Sequence, residues 1–144
     1  MNLELLFSVA GVLSMIGWLT LVVSPLIPHW SDRIAGLIIP LGLSIGYIVI
    51  AIFFSSGGDG GYGSLAAVAK LFSKPEALLA GWIHYLAFDL LIGAWMCRTA
   101  RQQHISFYRV LPCLPLTFLF GPAGYVAFLL VRWLSKSHIT EEQA

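Results

Sequence analysis

From Ile34 to Phe54 the chain carries no charged side chain, and this run is one of four apolar stretches of similar length. A hydrocarbon layer about 30 Å thick is crossed by roughly 20 helical residues at about 1.5 Å rise each. Only a structure that satisfies its backbone polar groups internally survives there, and for a chain with apolar runs this long that structure is the α-helix. Composition agrees: 58% of the 144 residues are hydrophobic, 10% are charged, and the mean hydropathy is +0.85, whereas a soluble domain needs roughly a quarter of its residues charged. The expectation is an all-α integral membrane protein. It has four transmembrane helices in one bundle (about 3–27, 34–54, 76–97 and 110–131) and a short interfacial helix between the second and third. Residues 1–136 form one domain and 137–144 a disordered tail.

A net charge of +1 gives nucleic acid nothing to bind. Cys97 and Cys113 read as small apolar residues, and no metal-ligand spacing appears among His29, His84, His104 and His138. No metal and no cofactor is expected. Met1 to Trp18 lacks a basic start, carries Glu4 and runs apolar well beyond a signal-peptide core, so it reads as a retained first span.

Small residues Ser8, Gly11, Ser14 and Gly17 on the first span, and Gly42 and Gly46 on the second, offer faces for close helix approach. These faces allow a homodimer or an accessory place in a larger membrane complex. Asp32 is placed to cap the second helix, and Pro40 to kink it. The glycine run Ser55–Gly63 reads as a flexible turn. Leu65, Val68, Ala69 and Phe72 then share one stripe of a short helix lying on the bilayer. Pro112, Pro115, Gly121, Pro122 and Gly124 interrupt the fourth span, and the carbonyls they free must be satisfied by protein or line a cavity. Four crossings would put both ends of the chain on one side. Basic residues then tie: Lys70, Lys74, Arg132 and Lys136 against Arg33, Arg98, Arg101 and Arg109.

His84 and Asp89 stand inside the third span, where a titratable side chain costs on the order of 3 kcal/mol unless it finds a partner, a cavity or a proton. At about 100° per residue they are about 140° apart and cannot pair with each other. Tyr85 and Asp89, at i and i+4, can. His84 reads either as a core imidazole bonded to a carbonyl freed by Pro40 or Pro115, or as one wall of a cavity whose other wall is Asp89. Trp18, Tyr47, Trp82, Tyr85, Phe88, Trp95, Phe118 and Phe120 read either as core packing or as a slot for a flat conjugated ligand. Acid-base chemistry on a lipid-soluble substrate is what these residues permit.

Lys70-Leu71-Phe72-Ser73, Gly81-Trp82-Ile83-His84 with Asp89-Leu90, and Leu119-Phe120-Gly121-Pro122-Ala123-Gly124 resemble the motifs of the plant abscisic-acid-deficient-four family, over about Pro25 to Val131. The resemblance implies a bacterial or cyanobacterial member in an inner or photosynthetic membrane, linked to xanthophylls. It also implies a neoxanthin synthase type of isomerisation, in which an epoxide opens while a proton leaves the polyene, and a hydrophobic isoprenoid or carotenoid partner beside membrane lipid. On that reading we assign Asp89 as the acid and His84 as the base or its orienting group. Trp82, Tyr85, Phe88, Tyr47, Phe118 and Phe120 would surround the ligand, and Pro40, Gly121, Pro122 and Gly124 would shape the helices. The alternative is a non-catalytic membrane subunit that binds carotenoid or lipid.

Overall fold

The structure, a computed structural model, describes residues 2–54 and 60–141, with the backbone alone at 54 and 136–141. It is all-α. Four helical stretches are long and apolar enough to cross a membrane, Leu3–Val22, Pro28–Phe53, Pro75–Gln102 and Cys113–Ser135, and a short helix lies between the second and third. Their outward faces carry exposed Leu5, Val12, Leu19, Ile45, Ile52 and Leu130. In a bilayer these side chains face lipid tails, so their exposure carries no hydrophobic penalty.

Helix α1 (Leu3–Val22) starts where the Asn2 side chain accepts the Leu5 N–H. It ends ahead of Pro25, and residues 23–27 turn the chain. The second span begins earlier than the charge pattern suggests: α2 (Pro28–Arg33) opens on a proline in its first turn and runs through a π-turn (Ile34–Ile38) into α3 (Ile39–Phe54). Asp32 therefore stands inside the helix and does not cap it. Its carboxylate instead takes both bonds of a forked contact from Arg101, at 2.5 and 2.6 Å, with Arg98 at 3.7 Å. The expected disturbance at Pro40 is a π-turn just upstream, where the Ile39 N–H reaches back to Ile34 O.

Residues 55–59 of the glycine run lie outside the described residues. Gly60 has φ +155° and sits against the Leu71 backbone. Helix α4 (Leu65–Phe72) is capped by Ser64 and leans on the next helix, with the Phe72 ring over Gly81. Helix α5 (Pro75–Gln102) is the centre of the bundle, with α1, α3 and α7 packed around it. Gly17 lies under Leu90, and Gly93 under Trp18 and Leu21. A Cβ on Gly42 or Gly46, by contrast, would meet nothing within 4 Å among the described residues, and both glycines border an apolar groove with Leu6, Val9 and Leu13.

His104 ends α5 in the left-handed region at φ 55°, with its N–H to Arg101 O and the Ile105 N–H to Ala100 O. That is the Schellman arrangement, here built on a histidine. After α6 (Phe107–Val110) comes α7 (Cys113–Glu141), which is broken at Phe120, where φ is −142° and ψ 54°. The break reverses the chain. A straight helix from Arg109 to Ser135 would be about 39 Å long, yet Arg109 Nη1 donates to Ser135 Oγ at 3.2 Å. Arg132 Nε donates to Gln103 Oε1 at 2.9 Å, and a Cβ on Gly124 would overlap the Thr117 backbone. Residues 113–120 enter the bundle and 121–135 return beside them. Ser135 therefore ends beside the α5–α6 loop and opposite Leu3, so the start of α1 and the end of this helix do not share a side. Residues 142–144 of the expected tail lie outside the described residues.

Candidate functional site

Asp89 lies about 21 Å along α5 from Pro75, 7% exposed, at the reversal of α7. Its carboxyl occupies the place a side chain on Gly121 would take: a Cβ there would stand 3.0 Å from Asp89 Cγ and closer still to Oδ1. Pro122 has no N–H to give Phe118 O, which is left with a free lone pair in hydrocarbon. The Tyr85 hydroxyl fills that role at 2.8 Å. Tyr85 also lies against the Asp89 carboxyl, one helical turn on. Asp89 Oδ2 is buried without a hydrogen-bond partner among the described residues. The carbonyl freed by a proline is thus satisfied across the bundle as expected, but by Tyr85 and at Pro122, not by His84 at Pro40 or Pro115. Nearby, Thr117 Oγ1 donates to Cys113 O at 2.7 Å and faces Met96 Sδ at 3.6 Å, and Trp18 meets Phe118 edge-on at 5.5 Å.

His84 is on the other flank of α5 and is exposed. Its ring stacks on Phe88 at 4.5 Å and tilts against Tyr47 at 5.7 Å. It borders a cavity of about 560 Å³ between α3 and α5, roofed by the Gly60–Tyr62 turn and by Leu71 and Phe72 of α4. Ile50, Ala51, Ala77 and Ala80 supply apolar walls, and Lys74, Glu76 and Tyr62 bring polar groups to its mouth. The cavity combines a greasy interior, a polar rim and an imidazole about 14 Å below the start of α5.

The sequence-predicted residues therefore divide. Tyr47 and His84 share the cavity; Asp89, Tyr85, Gly121 and Pro122 share the reversal, with Phe118 through its backbone. Trp82 stacks on Tyr85 at 5.4 Å and meets Phe7 at 5.8 Å, on the bundle surface. Phe88 stacks on His84 and is not among the described residues that line the cavity, and Phe120 is exposed at the break. Pro40 lies in the second span above its π-turn, and Gly124 is buried against Thr117. The aromatic residues form separate clusters, the fourth being Trp95 with Tyr125 and Phe128 on the returning limb, and not one slot. The cavity takes in His84 and leaves Asp89 outside.

Three lining residues with polar side chains were missed in the sequence: Lys74, Glu76 and Tyr62. For Glu76 the signal lay in its spacing to His84, eight residues or about 80° around the helix. Among the described residues no group of three or more histidines, cysteines or carboxylates could hold a metal.

The profile of a protein family described as ABA DEFICIENT 4-like matches residues 5–128. No curated protein and no solved structure matches the chain.

Proposed function

This chain belongs to the ABA DEFICIENT 4-like family, and from that premise we propose that it isomerises an oxygenated polyene of the carotenoid type in the cavity beneath α4. The observation that carries the reading is an imidazole on the wall of an apolar cavity of about 560 Å³ with a polar mouth. An epoxide-bearing end group would enter from the membrane boundary, its oxygen near the Tyr47 hydroxyl and the polyene carbon adjoining its ring near His84. His84 takes the proton from carbon, and the C–H electron pair becomes part of a new double bond. The C–O bond of the epoxide breaks, and the oxygen receives a proton from Tyr47 or from Glu76 at the mouth. The His84 imidazolium then returns its proton to the group that donated one, so atoms and electrons balance and nothing is consumed. Asp89, expected as the acid, acts in this scheme as a positioning residue that holds α7 behind α5.

The alternative, a non-catalytic subunit that holds carotenoid or lipid, is favoured by one observation: the two titratable residues of the motif do not meet on one cavity. Pigment analysis of a carotenoid-producing host decides between them. The isomerase reading expects a new carotenoid with the gene and a loss of about 10²–10⁴-fold in conversion for His84→Ala, while Asp89→Asn lowers the amount of folded protein. An unchanged carotenoid profile, together with pigment of unaltered structure purifying with the chain, would establish the subunit reading instead.

A further inference from the structure

The reversal of α7 breaks a tie that the linear sequence leaves standing. Arg132 is delivered to the end of the bundle that already holds Arg33, Arg98, Arg101 and Arg109, because it donates to Gln103 just beyond α5. That end now carries five arginines, of which Arg33, Arg98 and Arg109 are exposed. Among the described side chains the opposite end keeps Lys70 and Lys74. Exposed Trp30, Tyr108 and Trp133 belong to the same arginine end, the amphipathic aromatic residues that settle at headgroup level. Arginine forks match phosphate geometry, and flanking basic residues are retained on the cytoplasmic side, where the leaflet is anionic.

We infer that the arginine end is an interaction surface for the anionic phospholipid headgroups of the cytoplasmic leaflet, so that the start of α1 and the His84 cavity face the opposite side of the membrane. Whatever occupies that cavity enters from the non-cytoplasmic leaflet. The inference rests on the path of α7 and the placement of charge; it stands whether or not the cavity is catalytic.

Cysteines added one at a time to the full chain test it, with wild type, whose Cys97 and Cys113 are buried, as the blank. Gly63→Cys lies on the α3–α4 connection, where a side chain meets open space. Tyr108→Cys lies on α6, and Leu134→Cys on the exposed face of the returning limb. A membrane-impermeant maleimide added to intact spheroplasts is expected to label Gly63→Cys at least tenfold faster than the other two, which react only after the membrane is opened. Labelling of Tyr108→Cys from outside overturns the orientation. Labelling of Leu134→Cys together with Gly63→Cys overturns the charge count, since Arg132 would then leave the arginine end. Adding Ala66→Lys and Ala69→Lys to the Tyr108→Cys chain tests the cause. Outside labelling of Tyr108→Cys should rise several-fold as the bias weakens, and labelling that stays at the original level would exclude basic charge as the determinant.

Discussion

The two flanks of α5 present titratable side chains to different surroundings. On one, Asp89 is enclosed by the reversal of α7, with Tyr85 beside it and Gly121 supplying the room; on the other, His84 opens on a cavity with a polar mouth. The first flank is dense and intolerant of added atoms. The second is open and has volume to spare. A polar side chain in a membrane helix can thus serve two ends from neighbouring positions: closing an irregular backbone, or lining a cavity.

The contrast is broken most severely at Gly124. A side chain there meets the Thr117 backbone, which cannot yield as a flexible chain end would. Gly124→Val is expected to cost more than about 3 kcal/mol, read as loss of folded protein by size-exclusion chromatography in detergent. Tyr85→Phe comes next: it strips the Phe118 carbonyl of its donor in an apolar setting, for about 1–3 kcal/mol in thermal unfolding. Tyr47→Phe, on the open flank, should leave that transition in place. A fall for both would mean that the two flanks do not differ.

Asp32→Asn removes the carboxylate that Arg101 grips, but the two side chains are 33% and 31% exposed. Solvent screening brings the expected loss to about 1 kcal/mol, short of the cost of breaking a fully buried pair. It should shrink as salt rises. His84→Ala is expected to change stability by less than about 0.5 kcal/mol, because the ring borders a cavity; a drop of the Tyr85→Phe size would show His84 to be structural. Last, Gly42→Ala should be neutral or stabilising by up to about 1 kcal/mol, since nothing stands near its Cβ and alanine favours the helix. A clear loss in detergent-free membranes would instead mark the Gly42–Gly46 groove as a contact between copies.

Much of the fold was legible. Hydropathy located the four apolar helices, and the stripe after Ser64 located α4, because both patterns depend on residue type and helical period alone. The Tyr85 to Asp89 relation followed from i, i+4 spacing. One reading failed, and one feature stayed hidden. Asp32 looked like a cap because the helix start was placed by where charge ends, while Pro28 and the Asp32–Arg101 pair carry the helix through the charged residues. The fourth stretch is apolar and long enough to cross a membrane, as read, but the reversal within it was not legible, because length and hydropathy are blind to it. Its proline and glycine cluster was visible, and so was the need to satisfy freed carbonyls. That Phe118 O would be met by Tyr85, and that Thr117 would lie on Gly124, depends on α5 being there to fold against.

By itself, then, the sequence determined the medium, the helices and the angular separation of His84 from Asp89, since hydrophobicity and the 3.6-residue period act along one chain segment at a time. Tertiary structure decided that the flank of His84 faces a cavity and that of Asp89 a closed turn, and that Arg132 joins the other arginines at one end. Those outcomes depend on which helix lies across from which residue, and on a backbone break whose direction is set by its neighbours.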